Sequence, residues 1–199
     1  MPTFEVLAAQ DRRLDRSEDL DAAVGLLSAA EVEGPAEAHR DEVLAFVAVH
    51  DDAAWRTCAP GHLTGSALVV DAQRERTLLM LHRKLGRWFQ PGGHADGDAN
   101  LAAVSLREAQ EETGIAGLRV VLPAIDVDVH VVEPPGEAPH LHLDVRYLVL
   151  APVGALEQAN EESLALRWVD LEGLDDLVPP VDDSTRRLVE RGLAVAATL

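Results

Sequence analysis

Three carboxylates crowded into one short stretch define the chemistry this chain can perform. Glu108 stands three residues before Glu111 and four before Glu112, so on an α-helix all three project from roughly one side. Like charges at these spacings destabilise an isolated helix by about 0.2–0.5 kcal/mol per pair. A hard divalent cation turns that repulsion into attraction, because carboxylate oxygens are its preferred donors. A metal site is therefore the simplest rationale, set against the plainer alternative of a solvated helix face. Arg107, immediately before Glu108, is suited to pair with one carboxylate and fix its direction.

Such a cluster acts only on a rigid platform. Leu101, Val104 and Leu106, with Ala102, Ala103 and Ala109, supply apolar positions that dock a helix running from about Ala99 to Thr113. Gly114 follows as the expected C-cap glycine. Upstream, Phe89 leads into a Pro91-Gly92-Gly93 turn whose backbone N–H groups can approach a metal or phosphate closely, since no side chain intervenes. The β-branched run His62–Val70 and the segment Thr77–Arg83 predict a hairpin. Leu118–Val132 and His140–Val153 predict further strands across the turn-rich EPPGEAPH. Helical spacing recurs from Ser17 to His50, broken at Gly34-Pro35, and from Val181 to Ala197 after Pro179-Pro180.

With 199 residues, 47% hydrophobic and 26% charged, the chain has enough apolar content for a well-buried core. Its formal net charge of -18 repels nucleic-acid polymers and anionic membranes. An anionic small molecule remains acceptable, because a bound cation reverses the local charge. The N-terminal residues lack an apolar core followed by a small-residue cleavage site, so a cytoplasmic protein is expected. Cys58, the single cysteine, reads as a small buried apolar residue.

Gly93 followed by Arg107-Glu108-Ala109-Gln110-Glu111-Glu112-Thr113-Gly114-Ile115 resembles the Nudix box. That pattern has a glycine, five residues, a glutamate, seven residues, then Arg-Glu, an apolar residue, any residue, Glu-Glu, any residue, Gly and an apolar residue. The first glutamate of the pattern falls on Ala99, with Asp98 one position earlier. Asp98 is expected either to substitute as a metal ligand or to cap the helix. The resemblance spans about Gly61 to Glu172. It implies an α/β fold, a Nudix-type α/β/α sandwich with a mixed sheet. Residues 1–60 are expected to form an N-terminal helical extension and residues 61–199 the Nudix hydrolase domain. It further implies Mg²⁺ or Mn²⁺ held by Glu108, Glu111 and Glu112, one of them also a candidate base, with water attacking a phosphorus of a nucleoside diphosphate linked to another moiety. In similar proteins an acid downstream supplies a further ligand or the base, and here Glu161 and Glu162 occupy that region, with Glu162 taken as the ligand.

Other residues carry paired readings. His82, Arg83, Lys84 and Arg87 form either a phosphate-binding group, with Arg83 and Arg87 as its contacts, or an exposed basic hairpin edge. Trp88 and Phe89 stack on a base or fill the core. His140, His142, Asp144 and Arg146 alternate along one strand face. His142 and Arg146 are thus substrate-contact candidates, while two histidines without a third ligand are weak grounds for zinc. The replacement of the first glutamate by Ala99 keeps a non-catalytic ligand sensor of the same fold in view. An isopentenyl diphosphate isomerase is the other alternative, disfavoured by the full Arg107–Gly114 match. The partner is expected to be a small nucleotide or diphosphate, and the N-terminal helices either bury a homodimer surface or cap the sheet.

Overall fold

Strand β2 (Gly61–Val70) is buried at every position, as a strand must be when both faces of its sheet are covered. Its neighbours explain why. In the computed structural model, which describes residues 3–199, β2 pairs in parallel with β7 (His140–Leu150) and antiparallel with β3 (Thr77–His82) and β5 (Gly92–His94). Strand β6 (Arg119–Val132) flanks β7, and β1 (Glu5–Ala8) closes that edge. At the opposite side, β3 carries β4 (Trp88–Phe89) and β8 (Ser163–Val169). The single parallel pairing among the described residues makes the sheet mixed.

Two apolar clusters sit on its two faces. Helices α1 (Leu20–Ser28), α2 (Pro35–Val47) and α3 (Leu101–Thr113) cover one, burying Leu27, Val43 and Val104 against Leu63, Ala67, Val69 and Val145. Helix α4 (Asp183–Ala196) covers the other through Leu188, Val189 and Leu193 against Leu68, Ile125 and Leu148. The layers are helix, sheet, helix, as expected. No helix among the described residues is long and apolar enough to cross a membrane.

The expected pair of N-terminal helices is present, with Gly34 at φ 64° and Pro35 opening α2. That segment also holds a strand that the sequence pattern did not predict. Glu5–Ala8 is only four residues long, too short to display alternation, and its pairing with Arg119–Leu122 of β6 is a long-range decision. Residues before 60 therefore complete the sheet edge and roof one face.

Helix α3 sits close against the sheet at Gly65. A Cβ there would lie 2.8 Å from the Leu101 carbonyl oxygen and 3.2 Å from the Ser105 nitrogen, so only glycine lets the helix backbone rest on β2. Gly65→Ala is expected to push α3 outward and destabilise the fold by about 1–3 kcal/mol. Urea denaturation followed by circular dichroism checks this.

Candidate active site

Helix α3 is fastened at both ends. The Asn100 side chain accepts from the Ala103 N–H at 3.3 Å, and Gly114 ends the helix in the left-handed conformation at φ 67°. Between these caps the helix presents Glu108 and Glu112, one turn apart, toward the glycine turn. Glu112 is buried, and its Oε2 accepts from the Gly92 N–H at 2.8 Å. Glu108 lies across Gly93, where a Cβ would come within 2.5 Å of the carboxylate. Glu111, on the outer side, is exposed.

Glu162 joins the group from the loop before β8 and adds negative charge near Glu112. The loop is held from below. The Arg83 N–H donates to the Glu162 carbonyl at 2.8 Å, and its guanidinium donates to the carbonyls of Glu161 at 2.8 Å and Ser163 at 3.2 Å. Asn160 Oδ1 accepts from the Glu162 N–H at 2.9 Å. Arg107 steadies the other side, donating to Glu108 Oε1 at 3.0 Å and to the His94 carbonyl at 3.4 Å. This is the orienting role expected of it.

Burial sets the electrostatics. It pushes the Glu112 carboxyl up to about 8, the Gly92 N–H opposing and the charges of Glu108 and Glu162 reinforcing the rise. Burial also raises Glu108, with Arg107 opposing and Glu111 and Glu162 adding to it. The site thus gathers four carboxylates, two of them poorly hydrated, with a single arginine beside them. An all-oxygen donor set of this kind fits a hard cation such as Mg²⁺ or Mn²⁺.

Several expected participants stand elsewhere. Asp98 is not the N-cap, which is Asn100. Its buried Oδ1 accepts from the N–H groups of Ser17 at 3.1 Å and Asn100 at 3.0 Å, so this carboxylate fastens the chain entry to α3. Ala99 is buried, and its N–H donates to the Ser17 carbonyl at 2.6 Å. The Gly92 N–H is taken by Glu112 and is not free for phosphate. Arg83 binds the 161–163 loop and so positions Glu162. Arg87 is exposed in the β3–β4 turn. Trp88 fills the core, its indole N–H donating to the Val178 carbonyl at 3.2 Å. Cys58 is buried, as expected.

Arg146 is not in an open cleft. Its side chain is 4% exposed and pairs with Asp144 at 2.7 Å, Asp126 at 3.1 Å and Asp128 at 3.1 Å. Arg187 of α4 adds bonds to Asp126 and Asp128 at 3.2 Å and 3.1 Å. Burial alone would raise the Asp128 carboxyl, yet His130, Arg146, Ser184 and Arg187 together hold it well below the usual range. His142 lies further along the same face, beside His62 and His94. The sequence reading missed Asp126, Asp128, His62 and His94. The signal was in the alternation of DVDVH against HLHLDVR, since β6 and β7 align Asp126 with Arg146, Asp128 with Asp144 and His130 with His142.

A family model described as NUDIX domain matches residues 62–191. No curated protein sequence matches the chain. Among solved structures, an Ap4A hydrolase from C. elegans is similar with a TM-score of 0.55 at 18% identity, over 69% of this chain and 98% of that one. A MutT NUDIX hydrolase from Burkholderia pseudomallei gives 0.51 at 28% identity, over 65% and 95%. The NUDIX domain of Shewanella oneidensis NrtR, complexed with ADP ribose, gives 0.51 at 19% identity, over 78% and 97%.

The raised carboxyls make a sign-specific prediction for metal-free protein. A carboxyl at about 8 in the folded state binds a proton that the unfolded chain has already released. The stability is therefore full below the ordinary carboxylate range and is lost as pH rises toward 8. In chelator-treated protein, Tm is expected to fall by several degrees between about pH 5 and about pH 9. Glu112→Gln flattens the fall, and calorimetry across the range reads both.

Proposed function

Because the chain belongs to the NUDIX family and is a Nudix hydrolase, we propose that it cleaves the diphosphate linkage of a nucleoside diphosphate derivative, with Mg²⁺ or Mn²⁺ held by Glu108, Glu111, Glu112 and Glu162. The observation that carries this reading is the meeting of Glu108 and Glu112 at the glycine turn, both pushed out of water, with the charges of Glu111 and Glu162 close enough to raise them further. When bound, the divalent ion supplies Lewis acidity and neutralises phosphate charge in a site that would otherwise repel an anion.

The chain's own groups divide the remaining work. Arg107 and the Gly92 N–H hold Glu108 and Glu112 in fixed directions, so the donor set is preorganised. A carboxylate with a raised pKa is also a stronger base than an ordinary one, and Glu112 or Glu162 is placed to accept the proton of the attacking water. Water adds to phosphorus, the anhydride P–O bond breaks, and the products are two phosphate monoesters. Lys84 and Arg87, exposed in the β3–β4 turn, are the cations of the basic run left for substrate phosphate. Two structural neighbours carry names that involve diphosphate-linked nucleosides, Ap4A and ADP ribose, which supports this substrate class. The net charge of -18 and the small-molecule character of those ligands support a soluble, cytoplasmic role.

Phosphate-coupled assays with nucleoside diphosphate sugars, ADP-ribose, dinucleoside polyphosphates and nucleoside triphosphates test the proposal. Metal-dependent turnover of at least one class is expected, falling more than about a hundredfold in Glu111→Gln plus Glu112→Gln. Binding without turnover across the panel contradicts it and favours a ligand sensor. Conversion of isopentenyl diphosphate without phosphate release would instead identify an isomerase.

A further inference from the structure

The sheet face opposite α3 carries a group of imidazoles that the hydrolytic site does not use. His62 on β2, His94 on β5 and His142 on β7 come from three adjacent strands. His62 is level with His142, and His94 with Thr64, in the sheet register. One ring nitrogen from each lies within 4.8 Å of the others. The ring centres are 4.9 Å apart for His62 and His94, 5.1 Å for His62 and His142, and 4.9 Å for His94 and His142. His140 flanks His62 at 4.9 Å, and His130 flanks His142 at 5.6 Å.

His62 is the telling member. It is 3% exposed, and neither of its ring nitrogens has a hydrogen-bond partner among the described residues. Leaving a buried polar group unpaired costs about 1–3 kcal/mol, and such groups call for a specific explanation. A hydrogen bond accounts for the His94 Nε2 and His142 Nε2 pair at 3.3 Å but leaves His62 unexplained. A metal ion accounts for all three. Tetrahedral Zn²⁺ with Zn–N bonds of about 2.0–2.1 Å sets its nitrogen ligands about 3.3 Å apart, the separation already present between His94 and His142. Imidazole donors favour Zn²⁺ and its transition-metal neighbours over Mg²⁺.

We propose that His62, His94 and His142 bind a transition metal ion of the Zn²⁺ class, at a site separate from the carboxylates of α3. The separation follows from strand geometry. Gly93 meets Glu108, and the next residue, His94, points to the opposite face of the strand. His140, with Nδ1 2.9 Å from the Ala138 carbonyl, is oriented as ligating histidines usually are and stands nearest for a fourth position. Three protein ligands otherwise leave one position open, as in exchangeable or catalytic zinc sites.

The test uses full-length protein stripped with chelator and titrated with Zn²⁺ by calorimetry, and with Co²⁺ as an optical probe. With Mg²⁺ in excess to occupy the carboxylates of α3, one equivalent of Zn²⁺ is expected, and the Co²⁺ adduct should show the intense visible bands of tetrahedral nitrogen coordination. His94→Ala and His142→Ala should each weaken Zn²⁺ binding more than about a hundredfold. Glu111→Gln plus Glu112→Gln should leave it unchanged. Cys58→Ser should leave it unchanged too, which removes the second group of potential ligands, His50, Asp52 and Cys58. Histidine ring NMR of the wild type keeps the proposal falsifiable if a variant misfolds, since the signals of His62, His94 and His142 must shift with Zn²⁺. Unmoved signals at saturating Zn²⁺ would overturn the proposal. Binding lost with Cys58→Ser or with the glutamate pair, but kept in both histidine variants, would overturn it as well.

Discussion

The molecule is organised around the close seating of one acidic helix on two glycine-bearing strands. Gly65 lets the α3 backbone rest on β2, and Gly93 leaves room for Glu108. That contact strips water from Glu108 and Glu112, and stripped carboxylates repel one another far more than solvated ones do. The fold tolerates the arrangement because Arg107 and the Gly92 N–H compensate part of it. The Glu112 carboxyl, raised to about 8, marks what they leave uncompensated.

The opposite face solves the reverse problem. Three aspartates from β6 and β7 surround Arg146, and α4 contributes Arg187 and Ser184. Thr64 and Ser66 donate to Asp144 at 2.9 Å and 2.8 Å, so the buried charges are both paired and hydrogen-bonded. Such a network adds little net stability over apolar packing, but losing one member strands the rest. It fixes how α4 lies on the sheet, and beyond it along β7 the same face continues into the histidine group. The two faces therefore place carboxylates and imidazoles on either side of a few shared strands.

Much of this was legible in the residues alone. The α3 platform, its C-cap glycine and the crowding of Glu108, Glu111 and Glu112 follow from helical spacing, whereas Glu162 comes only from the resemblance to the Nudix pattern. The long strands follow from apolar runs. What stayed hidden depended on pairing between distant segments. Strand β1 is too short to show a period, and no local pattern shows that Asp98 fastens Ser17 and Asn100. Arg146 reads as a substrate contact because alternation places it with His142 and Asp144 on the polar face of β7. Only the register with β6 reveals three aspartates waiting for it. His62 and His94 are isolated in sequence and meet only through the sheet.

The central claim, that the α3 cluster is a hard-cation site, is tested most directly by electron paramagnetic resonance of Mn²⁺ added to chelator-treated protein. Wild type is expected to quench the free Mn²⁺ signal at stoichiometric protein, and Glu108→Gln plus Glu112→Gln to leave it free, while Zn²⁺ uptake persists in both. Equal quenching by wild type and variant would contradict the account.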